Sequence, residues 1–426
     1  MRRLSFPLSC GICQPRSYAS HTCIRRGNSS TAKPGPRYSP VPHRAVVSIT
    51  GTEPNLSTYL NGLLATKVSP AEEKYKGFYS TFLNRYGRIL YDVFFHPHPT
   101  EPGYLVEFDP RSIPRSTPAH HHDPFPELPV LLKRFVLRSK VKVKDVSDEW
   151  RVFAVWGGET EEKDDRKREV SFQEWTWNPR SNTIEPKWRD GKVLDNDIDD
   201  TVTKGIGTGQ WDRRVFGMGR RILWPVSEEA VLPAEYQFVG KEEYNIHRIA
   251  NGVPEGAFDN ADALPMERNI EMMGGIDFRK GCYVGQELTV RTYYTGIIRK
   301  RVFPISLVPR AGTSSVVPPH ASIKATRTPK GVEIAERFLT ISKRARARRE
   351  AAGQDSSYIK TRGTVLSRMG DTALGVLRLD HVDLYEQGEM ALSVEGDDGD
   401  VWDVEVKRPV WWPKRPVSEV GPSLPQ

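Results

Sequence analysis

The chain has 426 residues, of which 38% are hydrophobic, and these values suit a soluble protein of two or three domains with a substantial core. No run of about 18 apolar residues occurs, so we expect neither a membrane span nor a membrane partner. The net charge of +8 suggests a nucleic-acid partner, but residues 1–52 carry eight Lys or Arg and no acid. The remaining 54 basic residues equal the 54 acidic ones, so a neutral body argues against nucleic acid.

The first 40 residues are rich in Arg and Ser and lack acids, as is typical of a mitochondrial transit peptide. We therefore predict a disordered, removable leader at 1–40 and a mitochondrial matrix location. Cys10 and Cys13 have redox or metal spacing, but in a removable segment coincidence explains the pair more simply. Because Cys23 also lies in the leader, Cys282 would be the sole thiol of the mature chain, kept reduced in the matrix.

The region 41–275 alternates strand and helix patterns. The spacing of apolar residues predicts helices at 56–64 and 128–136 and strands at 45–49, 78–83, 88–95, 141–144 and 150–156. Asp92 stands inside an apolar strand, so it must be solvated at a sheet edge, the simpler interpretation, or satisfied by a polar partner. From 157 to 205 the chain is dense in charge and poor in core residues, which predicts a surface insertion.

Five histidines suggest a metal site at first sight. His96, His98 and residues 120–122 stand among prolines without regular spacing, so we interpret all five as loop residues.

Residues 276–301 form a segment built around Cys282. Arg279 and Lys280 precede this cysteine, and positive charge favours the reactive thiolate form of a thiol. Gly281 and Gly285 flank it and allow tight turns or close approach. A lone cysteine can equally pack as a small buried hydrophobe, and the residues alone leave that alternative open.

After Arg301 the pattern changes to short alternating runs, at 302–307, 364–367, 373–378, 390–394 and 401–406. These predict a small antiparallel β-barrel at 302–411, interrupted by an insertion at 309–360 and followed by a disordered tail at 412–426. The insertion contains a basic run, 343–349, which lacks interleaved aromatic residues. We interpret that run as a solvated loop or short helix, with an RNA contact as the less favoured alternative.

The run Lys280–Glu287, Lys-Gly-Cys-Tyr-Val-Gly-Gln-Glu, resembles the signature of the YgfZ family. These proteins are folate-binding relatives of GcvT, the aminomethyltransferase of the glycine cleavage system. The mitochondrial members act in iron–sulfur cluster assembly, and fungal members are catalogued as transferases of the Caf/Iba type. The resemblance implies an α+β fold, with a GcvT/YgfZ-like folate-binding region of several parts before the barrel.

The same resemblance implies the functional residues. It assigns a catalytic role to Cys282 and Lys280, with Cys282 also as a transient ligand of an iron–sulfur cluster and no stable metal site. It assigns tetrahydrofolate binding to residues spread over four blocks, namely Asn84, Arg88, Asp92, Arg248, Glu267, Asn269, Gln286 and Glu287. Aminomethyltransferases carry two adjacent aspartates where this chain has Tyr91 and Asp92, which separates folate binding from aminomethyl transfer.

Two functions follow from the resemblance. The favoured one is a mitochondrial assembly factor that uses Cys282 together with A-type carrier proteins to mature [4Fe–4S] enzymes such as aconitase and lipoyl synthase. One thiol is too few to hold a cluster, which takes about four ligands, so its role would be transient. The alternative is a tetrahydrofolate-dependent aminomethyl or one-carbon transferase, in which Asp92 and Glu267 do the work and Cys282 only packs.

Overall fold

A computed structural model describes residues 35–41, 43–70, 75–111, 126–157, 207–230, 232–295, 297–310, 312, 316–330 and 363–412, with the backbone of 175–178 and 183–186. Several sequence predictions lie outside these residues: most of the leader with its three cysteines, residues 120–122, most of the charged insertion, the basic run 343–349 and the tail after 412.

Two five-stranded sheets form the part of the fold that precedes the barrel. Their strands are β1 (Arg37–Pro40), β2 (Ala45–Thr50), β3 (Phe78–Leu83), β4 (Ile89–Pro97), β5 (Gly103–Phe108), β6 (Lys142–Asp145), β7 (Trp150–Trp156), β10 (Thr208–Trp211), β11 (Arg220–Pro225) and β12 (Gln237–Phe238). One sheet has the order β3-β4-β5-β2-β6 and the other β10-β11-β7-β1-β12. Strand β8 (Trp175–Asn178) pairs with β9 (Thr183–Pro186) in a separate hairpin inside the predicted charged insertion.

Helices pack against these sheets and against the barrel. They are α1 (Asn55–Leu63), α2 (Leu128–Val136), α3 (Lys241–Ala250), α4 (Gly256–Asn260), α5 (Gln286–Thr295) and α6 (Leu379–Glu386), with a 3-10 helix at Pro265–Arg268. The apolar spacing located α1 and α2 to within a residue, because each buries one stripe of leucines. Within the described ranges, no helix is both long and apolar enough to cross a membrane.

The first of these sheets is buried on both faces, which explains its nearly continuous apolar strands. Side chains alternate between faces along a strand, so Val46 of β2 enters a core shared with the second sheet, while Val47 enters the core beneath α1 and α2. Phe94 and Phe95 of β4 divide in the same way. The helices therefore cover one face of this sheet, and the second sheet covers the other.

The barrel closes with six strands, which confirms the predicted small antiparallel barrel. They are β13 (Lys300–Pro309), β14 (Ser322–Arg327), β15 (Gly363–Met369), β16 (Thr372–Arg378), β17 (Met390–Glu395) and β18 (Val401–Val406), in the order β13-β16-β15-β14-β17-β18. Its interior holds side chains such as Phe303 and Val394. Strand β14 lies within the segment 309–360, where the sequence predicts an insertion. Its apolar pattern is weak, because only Ile323 and Ala325 of its six residues are buried.

Two other features differ from the sequence prediction. Arg37–Pro40, placed in the leader, forms β1 and pairs with β7, which a four-residue strand is too short to signal by periodicity. His96, interpreted as a loop residue, lies in β4 and is fully buried, with Nε2 3.4 Å from Oε2 of Glu107. The neighbouring prolines suggested a loop, but β4 continues through Pro97.

Candidate functional site

The segment 277–285, called the cysteine loop below, lies across the C-terminal end of helix α1. The backbone N–H of Asp277 donates to the carbonyl of Ala65 at 2.9 Å, and that of Val284 donates to Gly62 at 3.1 Å. These two bonds lie near opposite ends of the loop. The loop is therefore attached to the helix end at both sides of Cys282.

Lys280 adds the third attachment. Its Nζ donates to the carbonyl oxygens of Asn61, Leu64 and Thr66 at 2.9, 2.5 and 3.0 Å, and lies 4.8 Å from the ring centroid of Tyr283. Carbonyls at a helix C-terminus attract a cation, and three of them occupy all three N–H groups of an ammonium. Burial lowers the pKa of Lys280 to about 8. In this structure the Lys280 ammonium holds the loop.

Cys282 itself is exposed and forms no disulfide. The sequence left open that Cys282 packs as a small buried hydrophobe, but the structure places it at the surface. The next residue, Tyr283, turns inward instead and is 6% exposed. Across the part of the chain that the structure describes, no three His, Cys, Asp or Glu side chains are grouped so as to hold a metal ion. The thiol is thus presented to solvent from a loop whose neighbours are anchored.

The two glycines around Cys282 have different environments. Gly285 has a φ of +82°, and a Cβ there would lie 2.2 Å from the carbonyl oxygen of Asn84. A Cβ on Gly281 would meet nothing within 4 Å. Gly285 is therefore required for the close contact between the cysteine loop and the β3–β4 turn, whereas Gly281 is not.

Asn84 and Arg88 organise the β3–β4 turn. The Asn84 side-chain oxygen accepts hydrogen bonds from the backbone N–H groups of Tyr86 and Arg88, at 2.9 and 3.0 Å. The Arg88 guanidinium donates to the carbonyl of Asp262 at 2.7 Å. Both predicted folate residues thus bind backbone groups, and the turn they shape packs against Gly285.

Asp92 lies in β4, an interior strand, and is 2% exposed. The sheet-edge interpretation is therefore wrong, and the polar-partner alternative is confirmed. The Asp92 carboxylate accepts the backbone N–H of Gly256 at 3.0 and 3.2 Å and faces Arg44, whose Nη1 is 3.7 Å away. Burial raises the pKa of Asp92, while Arg44 opposes that change.

A buried network of charges continues from Arg44 between the two sheets. Glu107 lies 2.6 Å from Nε of Arg44 and 3.4 Å from Nε of Arg221. Burial raises the pKa of Glu107, but the charges of Arg221 and Arg44 outweigh burial and bring it to about 2. Arg221 also donates to Glu255 at 2.6 Å, and Tyr244 donates to the same carboxylate oxygen at 2.6 Å.

The sequence prediction did not include this network. A partial signal was available, because Glu107 interrupts the otherwise apolar run of β5, whereas Arg221 follows Arg220 at the start of β11 and interrupts nothing. The partners could not be identified from the sequence, since they are 114 residues apart.

A first cavity of about 260 Å³ opens beside this network. Arg44, Glu255 and Gly256 line it, so Asp92 lies directly behind one wall. Arg248 also lines it and pairs with Asp259 at 2.7 Å, while its Nη2 donates to Ser367 of the barrel at 2.9 Å. The structure therefore brings Asp92 and Arg248 to the same region.

A second cavity of about 300 Å³ lies where three of the predicted blocks meet. Gly87 of the β3–β4 turn, Glu267 of the 3-10 helix and Leu288 of helix α5 all line it. Thr289 lines it as well, and its buried hydroxyl has no hydrogen-bond partner among the described residues. Glu267 thus lines the second cavity, whereas Asp92 lies behind a wall of the first.

The remaining predicted folate residues do not line either cavity. Asn269 is buried and its amide donates to the carbonyl of Val302 at 2.9 Å, which fixes the start of the barrel. The Gln286 side chain accepts the backbone N–H of Tyr283 at 3.2 Å, within the signature itself. Glu287 is exposed on helix α5. The structure therefore distributes the predicted folate residues over the β3–β4 turn, helix α5, the surroundings of two cavities and the start of the barrel.

Comparison with known proteins agrees with this architecture. The sequence profile of the CAF17 C-terminal beta-barrel domain matches residues 299–414, which span the observed barrel. The crystal structure of glycine cleavage system aminomethyltransferase T from Bartonella henselae superposes with a TM-score of 0.51 at 12% identity, covering 88% of this chain and 86% of that one. The predicted α+β fold of the GcvT type is confirmed.

Curated relatives identify the family. The mitochondrial iron–sulfur cluster assembly factor IBA57 homolog of Cryptococcus neoformans is 37% identical over 287 residues, 66% of this chain and 68% of the relative. The homolog of the same name from Mycosarcoma maydis is 30% identical over 398 residues, 88% of this chain and 84% of the relative. Identity of this level over this length shows that the chain belongs to the IBA57 family of mitochondrial iron–sulfur cluster assembly factors.

Proposed function

We propose that this assembly factor acts through Cys282, which serves as a temporary ligand for iron–sulfur clusters carried by A-type proteins and destined for [4Fe–4S] enzymes such as aconitase and lipoyl synthase. The observation that carries the proposal is the exposed thiol of Cys282 on a loop fixed by Lys280. Exposure lets a partner protein bring its cluster to the sulfur, and the anchored loop limits the entropy lost on contact.

The chemistry asked of Cys282 is ligand exchange. The thiol releases its proton as the sulfur binds iron, because a cysteine ligates a metal as the thiolate. One ligand leaves iron in exchange, and no oxidant or reductant is needed. A single protein thiol leaves the other positions on the cluster to the carrier, so the contact is transient.

Replacement of Cys282 by Ser in cells that lack the native protein tests this role. We expect aconitase and lipoyl synthase activities to fall while the amount of the assembly factor stays unchanged, because the substituted side chain is exposed. Purified protein mixed with a cluster-loaded carrier should give a visible absorption change that the Cys282→Ser variant does not give. Unchanged enzyme activities in these cells would reject a direct role for the thiol.

We also propose that the second cavity holds the pterin ring of tetrahydrofolate. The carboxylates around the first cavity already have partners: Glu255 accepts from Arg221 and Tyr244, and Asp92 accepts from Gly256. A pterin needs a carboxylate that can accept two parallel hydrogen bonds. No hydrogen bond reaches the Glu267 carboxylate from a described residue, so Glu267 suits that role.

The second cavity has further properties of a ring-binding site. Met266, Leu288 and Ile298 supply apolar walls, and the Thr289 hydroxyl supplies a polar group that lacks a partner among the described residues. Its volume of about 300 Å³ lies at the lower end of the range for small-molecule sites. The cavity therefore fits a ring with a polar edge, and Glu267 and Thr289 would orient it.

Calorimetric titration with tetrahydrofolate tests this assignment. We expect Glu267→Gln and Thr289→Val to weaken binding by roughly tenfold or more, since each leaves a ligand group unpaired. Lys241→Met, at an exposed residue lining the first cavity, is the matched control and should bind normally. Weaker binding in Lys241→Met alone would move the ligand to the first cavity.

The transferase alternative stays a prediction. Its assay measures folate products from purified protein, tetrahydrofolate and a lipoyl-carrier donor. Turnover that survives Cys282→Ser but is lost in Asp92→Asn would favour that alternative over the assembly role.

A further inference from the structure

A groove of about 340 Å³ lies beside the cysteine loop, between helices α1 and α2. Tyr59 and Leu63 of α1 line it on one side, and Phe135 and Leu137 line it at the end of α2. Val284 also lines it and lies two residues after Cys282. The groove therefore begins within two residues of the exposed thiol along the chain.

Two of the apolar side chains at this groove are exposed. Leu137 is 86% exposed and Phe135 is 40% exposed. The backbone at Leu137 has a φ of +41° and a ψ of −109°, a combination that glycine adopts far more readily than residues with a side chain. A leucine at that position is unfavourable for the backbone and for hydration in the free protein. Coverage by a partner would offset the hydration cost.

Residues 135–139 form one side of the groove, called its rim below, and they belong to a basic segment. From 128 to 144 the chain has six Lys or Arg and no acid. Arg138 lines the groove, Lys133, Arg134 and Lys140 are exposed close to it in sequence, and none of the four forms an ion pair with a described residue. An exposed apolar centre within a rim of one charge is the complement of a segment whose apolar residues are flanked by acids.

We propose that this groove docks an acidic amphipathic segment of the protein that exchanges its cluster with Cys282. The partner inserts an apolar side chain between Phe135 and Leu137, and its acidic residues face Arg138 and its neighbours. The inference rests on the proposed function of Cys282, because it assigns the partner by its proximity to that thiol.

Two other occupants fit less well. A second copy of the chain would bring two basic rims together, and like charges in contact oppose association. A bilayer offers a flat surface that leaves a groove of this volume unfilled, whereas a protein side chain can enter it. The concave shape and the charge together favour a protein segment.

The test measures affinity between the full chain and a purified A-type carrier without cluster. Leu137→Asn replaces the exposed apolar side chain by a polar one of similar size, and we expect it to raise the Kd by roughly tenfold or more. Arg138→Glu should slow association and reduce its salt dependence. Val316→Asn changes a different exposed apolar residue, 64% exposed and outside the groove, and should bind like the native chain.

A second measurement keeps the docking proposal separate from the role of the thiol. The alkylation rate of Cys282 should be unchanged in Leu137→Asn, which shows that the cysteine loop is intact. Cluster transfer that is lost in Cys282→Ser but normal in Leu137→Asn would overturn the docking proposal and leave the thiol role standing. Normal transfer in Cys282→Ser would instead overturn the thiol role.

Four further results would overturn the docking proposal. No carrier binding by the native chain, or equal affinity in Leu137→Asn, overturns the proposal. The proposal is also overturned if Leu137→Asn loses binding to vesicles of phosphatidylcholine and cardiolipin but still binds the carrier. That result would indicate that the groove faces a membrane. Loss of concentration-dependent self-association in the same variant, with carrier binding retained, would indicate a second copy and overturn it equally.

Discussion

The ammonium nitrogen of Lys280 lies 2.5 Å from the carbonyl oxygen of Leu64, so one side chain joins the signature segment to the end of helix α1. The same nitrogen reaches the carbonyls of Asn61 and Thr66. The position of the neighbouring Cys282 thus depends on a helix end more than 200 residues earlier in the chain. Lys280 is a positioning residue in this arrangement.

Replacement of Lys280 by Met should reduce the free energy of unfolding by about 1–3 kcal/mol, because it leaves buried carbonyls without a donor. The alkylation rate of Cys282 should also change, since the loop loses its central attachment. Urea unfolding and a thiol-alkylation time course measure the two effects. Arg279→Met is the matched control, because Arg279 is half exposed and should change stability by no more than about 0.5 kcal/mol. Equal effects of the two variants would contradict the positioning role.

The same lysine should make stability depend on pH in alkaline solution. Burial lowers the pKa of Lys280 from 10.5 to about 8. Between these pH values the unfolded chain binds the proton more tightly than the folded one, so the unfolding free energy rises with pH. The slope contributed by this group reaches at most about 1.4 kcal/mol per pH unit. We expect the difference in unfolding free energy, native minus Lys280→Met, to increase from pH 8 to pH 10. A constant or falling difference would contradict the assignment.

The two glycines beside Cys282 should respond differently to alanine. Gly285→Ala forces a side chain into the backbone of Asn84 at a φ of +82°, so the unfolding free energy should fall by more than about 1 kcal/mol. Gly281→Ala meets open space and should stay within about 0.5 kcal/mol of the native chain. Thermal unfolding of the pair measures the contrast. Equal melting temperatures would show that the loop does not pack on the β3–β4 turn as described.

Glu107 should be the most sensitive member of the buried network. Glu107→Gln leaves the guanidinium groups of Arg44 and Arg221 without their shared carboxylate, and loss of one partner of a buried pair costs about 3–5 kcal/mol. Glu395→Gln, at an exposed pair with Lys324, should cost no more than about 1 kcal/mol. Chemical denaturation at neutral pH compares the two variants. A similar small loss in both would mean that water reaches the network.

Acid should act on the same residue with a defined sign. The charges of Arg221 and Arg44 outweigh burial and lower the pKa of Glu107 from 4.5 to about 2. The unfolded chain therefore binds the proton first as pH falls, and the stability that Glu107 contributes is lost from about pH 4.5 down through pH 2. The Glu107→Gln variant should lack this part of the acid dependence.

The sequence by itself determined the features that repeat locally. Apolar residues at helical spacing located α1 and α2, and alternation located five of the six barrel strands. The eight residues from Lys280 to Glu287 were enough to indicate the family, since a signature is read along the chain. The thiol count likewise singled out Cys282 without any knowledge of its surroundings.

Only the tertiary structure decided which groups meet. The bond between Asp92 and Gly256 spans 164 residues, and it converts an apparent edge residue into a buried one. The attachment of Lys280 to Thr66 spans 214 residues, and the placement of Glu267 and Asp92 beside different cavities depends on the packing of four segments. Such pairs leave no periodic pattern, because their geometry is set by the packing of sheets and helices that are distant in sequence. The sequence singled out the sulfur of Cys282, but only the fold shows that this residue is exposed and that Val284, two residues later, lines an apolar groove.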